Sequence, residues 1–438
     1  MALGASCAAP TPPPHLVLVT SDALRADHLS LNGYPRQTSP ALDAFARGAW
    51  HFANAVTVVP KTGPSFATIF TGRHPEEHQV RDNFQAIPES LPVLAERLRA
   101  AGYRTAAFVG NPVLRAGKGF SRGFDHYVTH RTNVGGVETM IAAFEAWLDE
   151  PWTAPTFVWI HLMDPHGPYL PPRELLALFE TDEWAQSDAR VSMGSRELGV
   201  HPDLVLGSLP RYQRIGDEDR VAAYVARYDA EIRHMDAAFG RVVAALRRLG
   251  VYDESAILFT SDHGESLGEH DYYFEHGRFA YDATLRIPLL VKAPGQRAGE
   301  VVHDQVSTLD VLPTLLALIG LEATPDAAGR DLVAGRASER PLLVESSDGY
   351  PAKYHGIRSR RWKYVVRDAD ADEELYDLGA DPGETTNLAG LDPDRAAELR
   401  LRLGAALRAA RRRAVPPGVG SQDDAETLEQ LEALGYVQ

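Results

Sequence analysis

Cysteine is almost missing from this 438-residue chain; Cys7 is the single one. That excludes an internal disulfide and any metal site built on several thiolates. The redox compartment stays open, because low cysteine usage fits a reducing interior and a thiol-avoiding secreted chain alike. Basic residues are also scarce: 44 Lys+Arg stand against 60 Asp+Glu, a formal net charge of −16. Nucleic acid is thereby excluded as the main partner, since phosphate backbones are gripped by clustered Lys and Arg. Long apolar runs are absent too. Spanning a bilayer takes ~18 consecutive apolar residues. The best candidate, Val311 to Leu321, is shorter and broken by Pro313 and Thr314.

What is present is a large core. Hydrophobic residues make up 44% of the chain, enough for a globular protein. The first 14 residues read as a flexible Pro-rich arm. No basic segment or long apolar stretch precedes Cys7, so the arm resembles only the end of a lipoprotein signal. A lipidated Cys7 would tether the chain to a membrane surface; a plain arm leaves it soluble.

Strand and helix patterns alternate from residue 15 onward. His15–Thr20, Thr105–Val109, Thr156–His161, Ser255–Thr260 and Ile287–Val291 read as buried strands. Helices are expected over Pro40–Gly48 with Ser39 as N-cap, and over Ser65–Thr71, Leu91–Ala101, Val137–Leu148, Glu218–Leu249 and Thr308–Leu318. The fold class is therefore α/β, a large mixed, mostly parallel sheet with helices on both faces. Residues 171–212 read as an insertion over the sheet edge. Past residue 335 the texture changes to short, closely spaced strands at Pro341–Glu345, His355–Arg358, Trp362–Arg367 and Glu374–Tyr376. An Arg-rich helix over Pro393–Arg413 and a terminal helix over Asp424–Leu434 follow. The expected division is an arm (1–14), a catalytic domain (15–335) and a C-terminal subdomain with a small antiparallel sheet (336–438).

Polar residues gather just past four of these strands: Asp22, Asn111, Asp164-Pro165-His166 and Asp262-His263. Open α/β sheets bind ligands at the carboxyl ends of their strands. Asp22, Asp262 and His263 form a ligand set for a divalent ion, although each Asp alone could equally cap a turn. Zn or Mn is favoured by the imidazole, with Ca or Mg as further candidates and room for a second ion. The segment Thr62-Gly63-Pro64-Ser65 opens a helix. Thr62 there is either an N-cap or, beside a metal, a nucleophile.

These segments resemble the sulfatase family of the alkaline phosphatase superfamily, over nearly the whole chain after residue 15. Asp22-Ala-Leu-Arg-Ala-Asp-His28 is similar to its first metal-binding strand end, and Thr62–Arg73 to its nucleophile motif. His161–Tyr169, Ser261–His270 and the Leu375–Leu378 and Asp381–Leu388 segments are similar to its central and C-terminal signatures. True sulfatases convert a Cys or Ser into formylglycine; here Thr62 holds that place, and its oxidation would give a ketone. Phe66 stands where the family has Arg. The family's Gly-Lys-Trp-His segment reads Gly110-Asn111-Pro112-Val113, and the metal pair reads Asp262-His263.

The resemblance points to superfamily members that use a metal-bound Thr on phosphorus. It implies that Asp22, Thr62, Asp262 and His263 hold the metal, with Thr62, His166 and His276 in catalysis. Asn83 and Asn111 then contact substrate, and Asp164 serves as a partner of the site or a ligand of a second ion. The expected substrate is a small-molecule, lipid or glycan ester, cleaved as a phosphate or phosphonate ester. The alternatives are sulfuric ester hydrolysis, phosphotransfer to a lipid or glycan head group, and a non-catalytic binding module.

Overall fold

The computed structural model describes residues 13–129, 136–148, 152–180, 187–192, 206–322, 326–334, 339–350 and 352–419. The arm with Cys7, parts of the 171–212 insertion and the helix expected over 424–434 lie outside the described residues.

The first half of the chain runs β1 (Leu16–Asp22), α1 (Pro40–Ala46), β2 (Trp50–Val56), α2 (Thr62–Thr71), α3 (Pro75–His78), α4 (Leu94–Ala100), β3 (Arg104–Val109), β4 (His126–Thr129), α5 (Gly136–Trp147), β5 (Thr156–Pro165) and α6 (Arg173–Leu176). The second half runs α7 (Val221–Arg248), β6 (Ala256–Ser261), β7 (Ser266–Leu267), β8 (Tyr273–Glu275), α8 (Asp282–Leu285), β9 (Arg286–Ile287), β10 (Leu289–Lys292), β11 (Glu300–Ser307), α9 (Val311–Leu318), β12 (Leu342–Glu345), β13 (Tyr354–Arg358), β14 (Trp362–Arg367), β15 (Glu373–Asp377) and α10 (Pro393–Arg412).

The large sheet has the order β11-β2-β10-β6-β1-β5-β3-β4, with β9 paired to β2. β1 lies at its centre, parallel to both β5 and β6. β10 runs antiparallel between β6 and β2, which makes the sheet mixed. Alternate residues of β1 face opposite layers, as strand geometry requires. Leu16 and Leu18 pack with Phe66 and Phe70 of α2, Leu94 of α4 and Leu312 of α9. Val17 and Val19 pack with Phe45 of α1, Phe144 of α5 and Tyr228 and Phe239 of α7. A central strand buried on both faces explains its unbroken apolar run.

Several expectations shift in detail. The strand expected over Ile287–Val291 is two strands divided at Pro288, which has no N–H to give to a ladder. Ser39 stands at the N-cap position of α1 without a capping bond. The Asp236 carboxylate of α7 instead accepts the N–H groups of Ala41 and Leu42, at 2.8 and 2.9 Å. The helix expected from Ser65 begins at Thr62, and its ten residues are all buried.

A second sheet, β12-β13-β14-β15, is antiparallel throughout. α10 packs on it through Leu399 and Leu403 against Ile357, Tyr364 and Leu375. Among the described residues no helix is long and apolar enough to cross a membrane.

Candidate active site

β1 ends in a bulge between Ser21 and Asp22, and such bulges re-aim a side chain. The next residue, Ala23, has φ +58°. This left-handed turn is uncommon for a residue with a Cβ. It brings the Ala23 N–H to Asp262 Oδ1, at 3.2 Å. The His263 N–H reaches the same oxygen at 2.8 Å. The strand ends of β1 and β6 are thus tied through one carboxylate, with one oxygen of Asp262 engaged and the other left over.

The leftover atoms converge. Asp22 Oδ1 and Asp262 Oδ2 are fully buried and have no hydrogen-bond partner. His263 Nε2 lies 3.7 Å from the first and 3.4 Å from the second. Thr62 Oγ1 stands 3.4 Å from the same nitrogen. His263 Nδ1 donates to the Gly264 carbonyl at 2.8 Å, so the lone pair of the neutral ring sits on Nε2. Burial holds the His263 pKa down to about 4, against the pull of Asp22. Burial and the neighbouring Asp22 push the Asp262 carboxyl well above its ordinary range. Two buried, unpartnered carboxylate oxygens beside an imidazole lone pair fit a divalent cation. Asp22, Asp262 and His263 are close enough to hold one together.

The turn chemistry of α2 positions the hydroxyl. Lys61, not Thr62, occupies the N-cap position, and no side chain caps the helix. Thr62 is the first helical residue and faces His263. Asn83 braces this turn: its Oδ1 accepts the Gly63 N–H at 2.8 Å, while its Nδ2 is buried without a partner. The Gly63 position allows this approach, since a Cβ there would lie 3.1 Å from Asn83 Oδ1.

Two further histidines complete the pocket. The His276 ring lies against His263, with centroids 4.1 Å apart, and meets the His166 ring at 5.2 Å. His166 Nδ1 donates to the Gly167 carbonyl at 2.8 Å. His276 Nε2 is buried and unpartnered. Burial lowers the pKa of both rings.

Asn111 is fully buried. Its Nδ2 donates to Asp22 Oδ2 at 2.6 Å and its Oδ1 accepts the Val113 N–H at 2.8 Å. Asp164 turns away from the other carboxylates toward α7. There it meets His234 Nδ1 at 2.7 Å and, with Glu231, forms a separate acidic group.

Sequence reasoning passed over three residues. His161 lies inside β5 and reads as strand core, yet its Nε2 is 3.4 Å from Asp22 Oδ2. Glu265 follows Asp262-His263-Gly264 directly, and its Oε1 is 3.0 Å from His276 Nδ1. Tyr350 comes from the segment between β12 and β13 and donates to the His276 carbonyl at 2.8 Å. Only the first two carried a signal, since they lie within the segments His161–Tyr169 and Ser261–His270.

The chain resembles known proteins over most of its length. The family model described as Sulfatase matches residues 14–321. A second model, N-sulphoglucosamine sulphohydrolase, C-terminal, matches residues 268–413. Choline-sulfatase of Rhizobium meliloti (strain 1021) is 29% identical over 409 residues, covering 80% of this chain and 77% of that protein. The phosphonate monoester hydrolase of Agrobacterium radiobacter shares the fold with a TM-score of 0.73 at 23% identity, covering 94% of this chain and 100% of that one. A protein solved with its substrate D-glucosamine-2-N,6-O-disulfate has a TM-score of 0.73 at 21% identity, covering 91% and 98%.

Proposed function

The chain belongs to the sulfatase family, and from that premise we propose that it hydrolyses a phosphate or phosphonate ester with Thr62 as nucleophile. It is a hydrolase of the sulfatase and alkaline phosphatase superfamily, whose members use a divalent metal. The observation that carries the finer reading is the approach of Thr62 Oγ1 to His263 Nε2, beside the unpartnered oxygens of Asp22 and Asp262. Those four residues would hold the ion. Once bound, it would supply Lewis acidity and lower the pKa of a coordinated hydroxyl.

The chain's own residues then divide the work. Deprotonated Thr62 Oγ1, its proton passed to solvent, attacks phosphorus. An Oγ–P bond forms as the bond to the leaving oxygen breaks. His166 and His276 stand where they can stabilise or protonate that oxygen. Asn83 Nδ2 offers a donor to a non-bridging oxygen, where charge sits in the transition state. Water then cleaves the phosphothreonine, releasing the acid and restoring Thr62. Asn111 acts on Asp22 rather than on substrate. The candidate substrates are small-molecule, lipid or glycan esters.

A sulfuric ester is the second reading, favoured by the likeness to choline-sulfatase. Against it stand Thr62, which cannot become an aldehyde, and the loss of the cationic grip at Phe66 and Asn111. The test is Thr62→Ala assayed on matched aryl phosphate, phosphodiester, phosphonate and sulfate esters. The proposal expects a loss of about 10³-fold or more on the phosphorus esters. Full activity in the variant, or a wild-type preference for sulfate, overturns it.

A further inference from the structure

The small antiparallel sheet reaches the candidate site through one short segment. The pairing of β12 with β13 ends at Glu345 and His355. From there the chain gives its N–H groups to the segments that carry the site. The Glu345 N–H donates to the Val58 carbonyl at 2.9 Å, four residues before Thr62. The Ser347 N–H donates to the Gly277 carbonyl at 2.8 Å, next to His276. The Asp348 N–H donates to the Arg81 carbonyl at 2.9 Å, two residues before Asn83. Side chains repeat the pattern. Ser347 Oγ lies 3.0 Å from the Arg81 carbonyl and equally far from that of Asp348. The Asp348 carboxylate stands 3.3 Å from Arg81 Nε, and the Tyr350 hydroxyl donates to the His276 carbonyl at 2.8 Å. Glu345 and Ser347 are buried.

Arg81 opens the turn that carries Asn83. Its N–H donates to Gln85 Oε1 at 2.6 Å, and Asp82 Oδ1 accepts the N–H groups of Phe84 and Gln85 at 2.8 and 3.1 Å. The turn is therefore stiff within itself, and what holds Arg81 sets its place in the molecule. Asn83 reaches from this turn to the Gly63 N–H, with its Nδ2 left over. Any shift of the turn moves that Nδ2 relative to Thr62. Apolar contact is non-directional, whereas hydrogen bonds fix distance and angle. The segment 345–350 thus sets the spacing of the three turns that bear Thr62, Asn83 and His276.

We propose that Ser347 is a positioning residue for ester cleavage: it holds the Asn83 turn in register with the His276 turn, so that Asn83 Nδ2 meets the non-bridging oxygen of the substrate. The small sheet is on this account part of the site's framework. The proposal rests on the reading of this site as an ester hydrolase in which Asn83 contacts substrate.

The test compares wild type, Ser347→Ala, Asn83→Ala and the double variant on an aryl phosphate and an aryl phosphonate ester, all loaded with metal. Misplacement by about 1 Å can cost ~100-fold in rate; loss of this one hydroxyl is expected to lower kcat by about 5- to 30-fold. KM should move by less than about threefold and bound metal should stay at the wild-type level, because the contact at stake strengthens in the transition state. In the Asn83→Ala background, Ser347→Ala should cost less than about twofold, since the group it positions is gone. Leu399→Ala, which empties the packing of α10 on the same sheet, should lower stability in urea yet leave kcat within about twofold of wild type. A full loss added on top of Asn83→Ala, or an equal loss of kcat in Leu399→Ala, overturns the proposal. Should Ser347→Ala not fold, Asp348→Asn loosens Arg81 from a more exposed position and should show the same dependence on Asn83 at smaller size; an additive loss there overturns it equally. An Asn83→Ala variant with wild-type kcat also overturns it, while leaving the Thr62 reading untouched. If instead Thr62→Ala stays active, the nucleophile is wrong, and the coupling of Ser347 to Asn83 is still read on whichever ester is cleaved.

Discussion

Asn111 Nδ2 donates a 2.6 Å hydrogen bond to Asp22 Oδ2, across the ends of β3 and β1. The other end of its amide holds the Val113 N–H. Asp22 is therefore gripped through Oδ2, with Oδ1 left facing Asp262 and His263. Partners that orient a ligand in this way commonly contribute about 10- to 100-fold in metal affinity. Asn111→Ala should weaken metal binding by that factor, measured by competition with a chelator, and kcat should recover at saturating metal. Unchanged metal affinity together with a raised KM would instead place Asn111 in contact with substrate.

The apoprotein should be stabilised by removing one of the carboxylates proposed to hold its metal. Burial and Asp22 raise the Asp262 pKa in the folded state. A carboxyl shifted upward costs stability at any pH above its unfolded value, ~3.9. Asp262→Asn should therefore raise the Tm of the chelator-treated protein by a few degrees at pH 7, on the order of 1–2 kcal/mol. The same variant should lose the rise in Tm that added Zn or Mn gives wild type. A lower Tm in the apo variant would mean that the two carboxylates do not repel in the folded protein.

His355 should make the contact between β13 and α3 pH-sensitive. Burial alone would lower its pKa, but Asp368 and Glu76 at 3.0 Å each raise it to about 9. A histidine raised in the folded state contributes stability that is fully present below its unfolded pKa, ~6.5, and is lost as pH climbs through the folded value. Urea unfolding should show wild type losing up to roughly 3 kcal/mol between pH 6.5 and 9 relative to His355→Gln. Parallel stability curves for the two proteins across that window would show that His355 does not hold its proton there.

The sequence made the strand ends readable because buried parallel strands are unbroken apolar runs, and β1, β5 and β6 are such runs. A polar residue just past them stands out, which is how Asp22, His166, Asp262 and His263 were found. β2 and β11 were missed, since WHFANAV and EVVHDQVS carry polar residues on partly open faces. His161 was missed for the opposite reason, being buried within a strand that reads as core. The direction of the Asn111 amide and the arrival of Tyr350 depend on contacts between segments far apart in the chain. Local pattern holds no record of either.

Phe66 is the residue where the departure from the family motif tests most cleanly. It occupies the place of an arginine, yet its ring is fully buried. It lies edge-on to His161 at 4.8 Å and beside Trp159 at 5.2 Å. His161 in turn sits 3.4 Å from Asp22. An aromatic wedge therefore backs the column that ends in Asp22, where a guanidinium would be buried among apolar groups. Phe66→Ala should cost about 3–5 kcal/mol in urea unfolding, the usual loss for emptying a packed aromatic site. Phe66→Leu should cost less, because it keeps most of the volume. Phe66→Arg should yield little folded protein and no gain of aryl sulfatase turnover, since restoring the charge without a partner leaves it desolvated. A stable, sulfatase-active Phe66→Arg variant would mean that this helix face opens onto the substrate rather than the core.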